Sequence, residues 1–367
     1  MAKYRNLTAG DPAPWFKQRT LSNPKFNFDS IGGRYAVLCF FGSASAPQTQ
    51  AIFKAVAADP SFDDVKASFF GISNDVGDEA RLAERIPGIR FFLDFDGTAG
   101  QLFGALPVDA QQGGKASVRP IWVILDPTLR VLKVFEFASS SVETVLSYVK
   151  SLPPPQRFAG IELQAPILVL PNVFEPEFCR KLIGLYEKHG GIESGFVREV
   201  DGKTVKVNDH AHKRRKDYDI IEEDVMADTR HRIHRRVVPE IAKVHQFHVT
   251  RMERYIVACY AAEDEAHFNA HRDNTTSGTA HRRFAVSINL NDDFDGGEVS
   301  FPEYGPRSFK APAGGAIVFS CSLLHAVSKV THGRRYAFLP FLYDDAAAKI
   351  REENNRFLGE GIGSYKT

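Results

Sequence analysis

At 367 residues the chain is long enough for two ordinary domains, and a formal net charge of +1 leaves no global field to gather nucleic acid or an anionic membrane. Hydrophobic residues at 43% and charged residues at 25% are the balance of a folded globular protein, which excludes a disordered or fibrous chain. Met1 to Asp11 is polar, and no run of roughly eighteen apolar residues occurs, so a cytoplasmic protein without a membrane span is expected.

In the first half, short apolar runs alternate with helix-like segments. Tyr35 to Phe41, Ala67 to Ile72 and Ile121 to Leu125 read as buried strands, and Gln48 to Ala58 and Glu79 to Arg85 as helices. That alternation predicts an α/β layer with a largely buried sheet. Ser141 to Lys150 carries apolar residues at helical spacing, and the Ser-Leu-Pro-Pro-Pro-Gln run that follows cannot continue a helix. We therefore divide the chain into a first domain at 1–150, a proline-rich linker at 151–164 and a second domain at 165–367.

The second half has a different texture. Glu175 to His189 and Val225 to His245 are expected to be helices. From Arg254 onward, short β-rich runs are punctuated by Gly, Asn, Asp and Pro: Tyr255 to Tyr260, Phe284 to Asn291, Glu298 to Phe301, Ala316 to Ser320 and Tyr336 to Leu342. Many short strands with turn signals predict a sandwich or jelly roll. The four cysteines, Cys39, Cys179, Cys259 and Cys321, lie far apart among apolar neighbours and read as buried free thiols.

One constellation carries chemistry. His271 and Asp273 are separated by one residue, so on an extended segment both side chains face the same way. His325 lies 52 residues after Asp273, beyond the apolar run 316–320. Two histidines and a carboxylate suit one face of an octahedral iron, leaving the other face open. His-x-Asp alone is a weak signal in a chain with twelve histidines, and its companions give it weight. Arg335, ten residues past His325, offers a guanidinium fork for the far carboxylate of a dicarboxylate co-substrate; adjacent Arg334 fits an exposed loop.

With these residues in view, 165–345 resembles the prolyl 4-hydroxylase-like branch of the iron(II)/2-oxoglutarate-dependent dioxygenases. The likeness rests on Ile256 to Tyr260, His271-Arg-Asp-Asn274, Asn289-Leu-Asn291, Gly296 to Pro302, Ala313 to Phe319, His325-Ala-Val and Gly333 to Tyr336, in that order. It implies a double-stranded β-helix with flanking helices, with His271, Asp273 and His325 as catalytic metal ligands. It also implies a cofactor pocket containing Arg335, Tyr260 and Asn289. The implied cofactors are Fe(2+), 2-oxoglutarate and O2, with ascorbate as reductant. The implied activity is hydroxylation of an unactivated C–H bond, foremost in a peptidyl residue such as proline, with release of succinate and CO2. A small metabolite or a natural-product peptide stays open as substrate. Where relatives often carry tyrosine shortly before the His-x-Asp motif, this chain has Phe268.

Residues 7–150 resemble the peroxiredoxin branch of the thioredoxin fold, through Gly10 to Pro14, Phe92 to Gly97 and Arg119 before Trp122 to Asp126. We read this domain as a non-catalytic scaffold, a dimerisation surface giving a homodimer, or a substrate-docking module. Ala46 stands where the family has its peroxidatic cysteine, so peroxide chemistry is expected to be lost and Arg119 to be structural or binding. A thiol redox or binding protein acting through this half, with Cys39 as its thiol, is the rival reading. The basic runs at His210 to Lys216 and His231 to Arg236 have Asp217, Asp219, Glu222, Glu223 and Asp224 between them and read as solvated surface, with substrate entry as the other option. Neither nucleic acid nor membrane is expected as a partner.

Overall fold

The computed structural model describes residues 3–110, 118–138, 140–360 and 362–365. The chain forms two compact units, Met1–Gln164 with Pro302–Pro306, and Ala165–Phe301 with Arg307–Thr367. Among the described residues, no helix is long and apolar enough to cross a membrane.

The first unit is a five-stranded sheet in the spatial order Ile89–Leu93, Ala67–Ser73, Tyr35–Gly42, Ile121–Leu125, Val131–Glu136. The first three strands run parallel and the last two are antiparallel additions. Residues 35–41 are continuously apolar because both faces of the sheet are covered. Tyr35, Val37, Cys39 and Phe41 enter one core, whereas Ala36, Leu38 and Phe40 enter the other. Helices Pro47–Ala58 and Ser141–Ser151 supply Ile52, Val56, Val145 and Val149 to the first of these cores. After the second helix the proline run stays in contact with the sheet, where the Tyr35 hydroxyl donates to the Pro153 carbonyl at 2.9 Å.

The expected helix at 79–85 is not formed. A short 3-10 turn covers Val76–Ala80, and Arg85 then pairs with Ile89 in an isolated antiparallel bridge. Buried Asp78 accepts from the Ala44 amide, the Ser73 hydroxyl and Arg81, which holds the turn in place. Pro87 biases the residue before it toward extended geometry.

Asp64 ties the rim of this sheet together, accepting from Arg90 Nη1 and Nη2 at 2.9 and 2.7 Å. Burial would raise its carboxyl, but the hydrogen bonds from Arg90 and Ser68 and the charge of Arg34 outweigh it and hold the group at about 2. A depressed carboxylate stabilises the fold above its unfolded pKa of 3.8 and loses that contribution as pH falls toward 2. The contribution is about 2 kcal/mol. Thermal unfolding of Asp64→Asn and wild type across pH should show the largest gap above pH 4, closing toward pH 2; a gap independent of pH would count against this assignment.

Two antiparallel sheets dominate the second unit, beside two two-stranded ribbons, Phe196–Val200 with Lys203–Val207 and Asp295–Gly296 with Val330–His332. The larger contains, in order, Arg251–Glu253, Phe341–Tyr343, Phe284–Asn289, Arg334–Phe338, Ile256–Ala261, Lys216–Asp219 and Ile192–Glu193. Ala316–Ser320 also pairs with Phe284–Asn289, and Leu168–Leu170 pairs with it in turn. The smaller sheet runs Lys213–Arg214, His267–His271, His325–Val327, Val299–Ser300, Ser308–Phe309. Helix Pro176–His189 packs Phe178, Leu182 and Tyr186 onto the core formed by the outer face of the larger sheet.

The helix expected over 225–245 is two helices, Glu223–Arg236 and Val238–His245. Pro239 has no amide hydrogen to donate and would clash with the preceding turn, so the chain breaks at Val237 and Pro239 serves in the first turn of the second helix. The run 336–342 is likewise two strands, interrupted at Leu339 and Pro340.

Candidate metal centre

Strand alternation assembles the site. In Phe284–Asn289, Phe284, Val286 and Ile288 point into the core, which sends Ser287 and Asn289 to the opposite face. In Arg334–Phe338, Tyr336 and Phe338 are core and Arg335 faces the other way; in Ile256–Ala261, Val257, Cys259 and Ala261 are core and Tyr260 is opposed. Tyr260 and Arg335 are paired directly in the strand register. The inner face of the larger sheet therefore presents Tyr260, Ser287, Asn289 and Arg335 together.

The smaller sheet supplies the donors. His271 and His325 are register partners on adjacent antiparallel strands. Asp273 follows two residues later, its amide bonded to the Cys321 carbonyl at 2.9 Å. His271 Nε2 lies 3.6 Å from Asp273 Oδ1, and His325 Nε2 lies 3.4 Å from Asp273 Oδ2. One donor atom from each of the three residues falls within 4.8 Å of the others, the one such cluster among the described residues. Neighbouring ligands at bond lengths of about 2.1 Å would sit roughly 3 Å apart, so a small contraction accommodates a cation.

The imidazoles are prepared for that role. His271 Nδ1 lies 2.7 Å from the Asn269 carbonyl and His325 Nδ1 lies 3.0 Å from the Leu323 carbonyl. A carbonyl can only accept, so each Nδ1 carries the hydrogen and each Nε2 presents its lone pair. Burial, together with the neighbouring His325, pushes the His271 imidazole down to about 4, against the opposing pull of Asp273. Burial would raise the Asp273 carboxyl, but His325 and His271 outweigh it and hold the group well below the usual carboxylate range. The rings are themselves fixed, since Phe268 stacks on His271 with centroids 3.5 Å apart and Phe319 lies 4.6 Å from His325.

Behind the donors lies a cavity of about 60 Å³, lined among others by Tyr260, Ser287, Phe319, Arg215, Arg254 and Arg335. Arg335 is 1% exposed. Its Nε donates to Asn289 Oδ1 at 2.9 Å and its Nη2 to Ser287 Oγ at 2.7 Å. Its Nη1 is buried and has no hydrogen-bond partner among the described residues. A buried, orphaned guanidinium nitrogen is unfavourable unless an anion completes it, which is the fit expected of a dicarboxylate chelated at the donors. Asn289 does not line the cavity. Its Oδ1 orients Arg335 and its Nδ2 donates to the Ala311 carbonyl at 2.8 Å, so it supports Arg335 and does not face the pocket.

The basic run 210–216 departs from the solvated surface expected of it. Lys213 and Arg215 are buried, at 4% and 5% exposure. Lys213 Nζ donates to Ser194 Oγ and the Gly195 carbonyl, and Arg215 forms a two-pronged pair with Asp217 and donates to the Tyr260 hydroxyl at 3.1 Å. Lys213, Arg215 and Asp217 alternate, the spacing of one side of an extended segment, and that alternation was the clue in the sequence, although the segment passes from the smaller sheet at Lys213–Arg214 to the larger at Lys216–Asp219. Arg334 is half exposed and paired with Glu263.

Next to the centre, buried Glu253 accepts from Arg282 Nε at 2.8 Å and contacts His281 at 3.1 Å and Arg351 at 2.8 Å. Burial would raise this carboxyl; Arg282, His281 and Arg351 together hold it well below the usual range. Glu253→Ala leaves three cationic or polar partners without their acceptor and is expected to cost about 3–5 kcal/mol of stability. Chemical denaturation would measure it, and a loss under about 1 kcal/mol would contradict the assignment.

In the first unit, Ala46 occupies the N-cap position of the helix Pro47–Ala58 without a side-chain cap, and Cys39 is fully buried in its strand with its thiol pushed up by burial. All four cysteines are free and buried. Arg119 donates to the carbonyls of Gly104 and Arg5, at 3.0 Å each, and to Asn6, holding the N-terminal segment.

Residues 255–343 match the family model of the 2OG-Fe(II) oxygenase superfamily. A PKHD-type hydroxylase of Cupriavidus metallidurans is 38% identical over 80 residues, 19% of this chain and 35% of that protein. The chain thus spans about a third of the length of the curated relatives it matches. Among solved structures, a prolyl hydroxylase from Trichoplax adhaerens, in complex with a hypoxia inducible factor peptide fragment, is similar at 16% identity and TM-score 0.39, covering 50% of this chain and 85% of that one. Peroxidoxin BcpB from Mycobacterium tuberculosis is similar at 21% identity and TM-score 0.34, covering 40% of this chain and 99% of that one. The C-terminal part of the chain carries a domain of the 2OG-Fe(II) oxygenase superfamily, whose cofactors are Fe(2+), 2-oxoglutarate and O2.

Proposed function

We propose that this protein is a 2-oxoglutarate-dependent dioxygenase that hydroxylates an unactivated C–H bond. His271, Asp273 and His325 hold the metal, and Arg335 takes the far carboxylate of 2-oxoglutarate. The observation that carries the reading is the unpartnered Nη1 of Arg335 in the same cavity as three converging donors. Bound there, ferrous iron with 2-oxoglutarate and O2 supplies the oxidation, with succinate and CO2 as co-products.

The chain's own residues do the rest. The Asn269 and Leu323 carbonyls orient the imidazoles, Asn289 and Ser287 aim Arg335, and Tyr260, steadied by Arg215, walls the co-substrate side. Phe268 and Phe319 pack against the His271 and His325 rings and fix their planes. We read the two sheets of the second unit as a double-stranded β-helix and residues 165–367 as the catalytic domain.

A peptidyl residue such as proline is the substrate we favour. An open trough of about 480 Å³ adjoins the centre, sharing Phe268 and Val327 with the inner cavity and reaching Asn269, Ser300 and Lys329. Such a trough suits an extended chain more than a small metabolite. The first domain is proposed as a non-catalytic, thioredoxin-like module, because Ala46 offers no nucleophile and Cys39 has no access to solvent. The test is a peptide screen for succinate release with mass detection of one added oxygen. Activity that survives iron chelation but disappears in Cys39→Ser would favour the thiol reading instead.

A further inference from the structure

The oxygenase reading leaves one charged group of the inner cavity without a task. Arg215, Arg254 and Arg335 all line it. The charge of Arg215 is met by Asp217 through two contacts of 2.6 Å, and Arg335 is assigned to 2-oxoglutarate. Arg254 reaches Asp217 through one 3.3 Å contact, to an oxygen that Arg215 already engages. Its side chain keeps 28% exposure, and its guanidinium lies 5.5 Å from the Phe341 ring centroid.

The backbone places it there at some expense. Arg254 has φ of +71°, in the left-handed region that long side chains rarely adopt. The residues around it impose this turn: Glu253 is held in its buried ion network and Ile256 begins a core strand. Strain of this kind concentrates at binding sites.

Charge accounting points the same way. Three guanidinium groups face two carboxylates, Asp217 and Asp273. A divalent metal and a dianionic co-substrate cancel each other, so one positive charge is left over among these groups, on the partly exposed Arg254 fork, where an anionic ligand can meet it. We propose that the substrate bears a carboxylate that pairs with the Arg254 fork, making Arg254 a specificity-determining residue and acidic compounds the substrate class. A small carboxylic acid and an acidic side chain on a peptide share that chemistry. This rests on the oxygenase reading of the same site.

The test uses the full chain loaded with Mn(II) and N-oxalylglycine, a non-reacting analogue of 2-oxoglutarate, so that no turnover is needed. Proton relaxation by the bound Mn(II) is measured for propionate against propionamide, and for a blocked hexapeptide containing one Glu against its Gln twin. An acid probe should be relaxed about 10-fold or more above its amide, the excess should vanish in Arg254→Gln, and Arg254→Lys should restore part of it. Which pair responds identifies the source of the carboxylate. Thermal midpoints of both variants separate loss of binding from loss of fold. Equal relaxation of acids and amides, an excess unchanged in Arg254→Gln, or a loss confined to N-oxalylglycine affinity would each overturn the proposal. Failure of Mn(II) or N-oxalylglycine to bind wild type would instead sink the oxygenase reading beneath it.

Discussion

Replacing His271, Asp273 or His325 by alanine is expected to lower metal affinity, and with it 2-oxoglutarate turnover, by more than about 100-fold, since loss of a mere supporting partner of a ligand already costs 10- to 100-fold. The expectation follows from geometry. The two Nε2 atoms and the carboxylate converge from a strand pair whose register sets His271 opposite His325, and no other cluster of ligating side chains exists among the described residues to take over. The three single variants should be similar in effect, because each removes one of three donors to one ion. Metal analysis after dialysis, alongside succinate release, measures both consequences. A variant that keeps stoichiometric metal would show that the ion sits elsewhere.

Arg335→Ala carries the second large effect. Truncating one member of a buried, hydrogen-bonded charge pair costs about 2–5 kcal/mol, so the 2-oxoglutarate Kd should rise roughly 30-fold or more. Metal binding should stay close to wild type, because Arg335 donates to Asn289 and Ser287 and not to the three ligands. Arg335→Lys should fall between the two, since a single ammonium cannot occupy both the Asn289 and Ser287 positions and still meet a carboxylate. Titration of the metal-loaded protein with 2-oxoglutarate decides it. An unchanged Kd would assign the far carboxylate to another group, with Arg254 and Arg215 the cations that share the cavity.

What the sequence made legible is what local periodicity encodes. The strands at 35–41, 67–72 and 121–125 were readable because a sheet covered on both faces needs apolar residues at every position. The His271 and Asp273 spacing was readable because extended backbone returns alternate side chains to one side. The misreadings arise where a remote partner decides the outcome. Residues 79–85 have helix-forming composition, yet Asp78 is committed to Ser73 and Ala44 across the sheet edge. Lys213 and Arg215 look like surface until Ser194, Gly195 and Asp217 are seen closing around them. Asn289 was placed in the right neighbourhood with a different task, because its bond to Arg335 spans 46 residues of sequence. Pro239 is the exception, a local signal that divides the helix by itself.

The central claim is that one ion held by three side chains creates the binding site for 2-oxoglutarate. Anaerobic calorimetry of the purified chain, with Fe(II) and 2-oxoglutarate added in either order, tests it most directly. One ferrous ion should bind per chain, and tight 2-oxoglutarate binding should appear only after the metal is present. Equal affinity for 2-oxoglutarate with and without iron, or a second metal equivalent that survives His271→Ala, would contradict it.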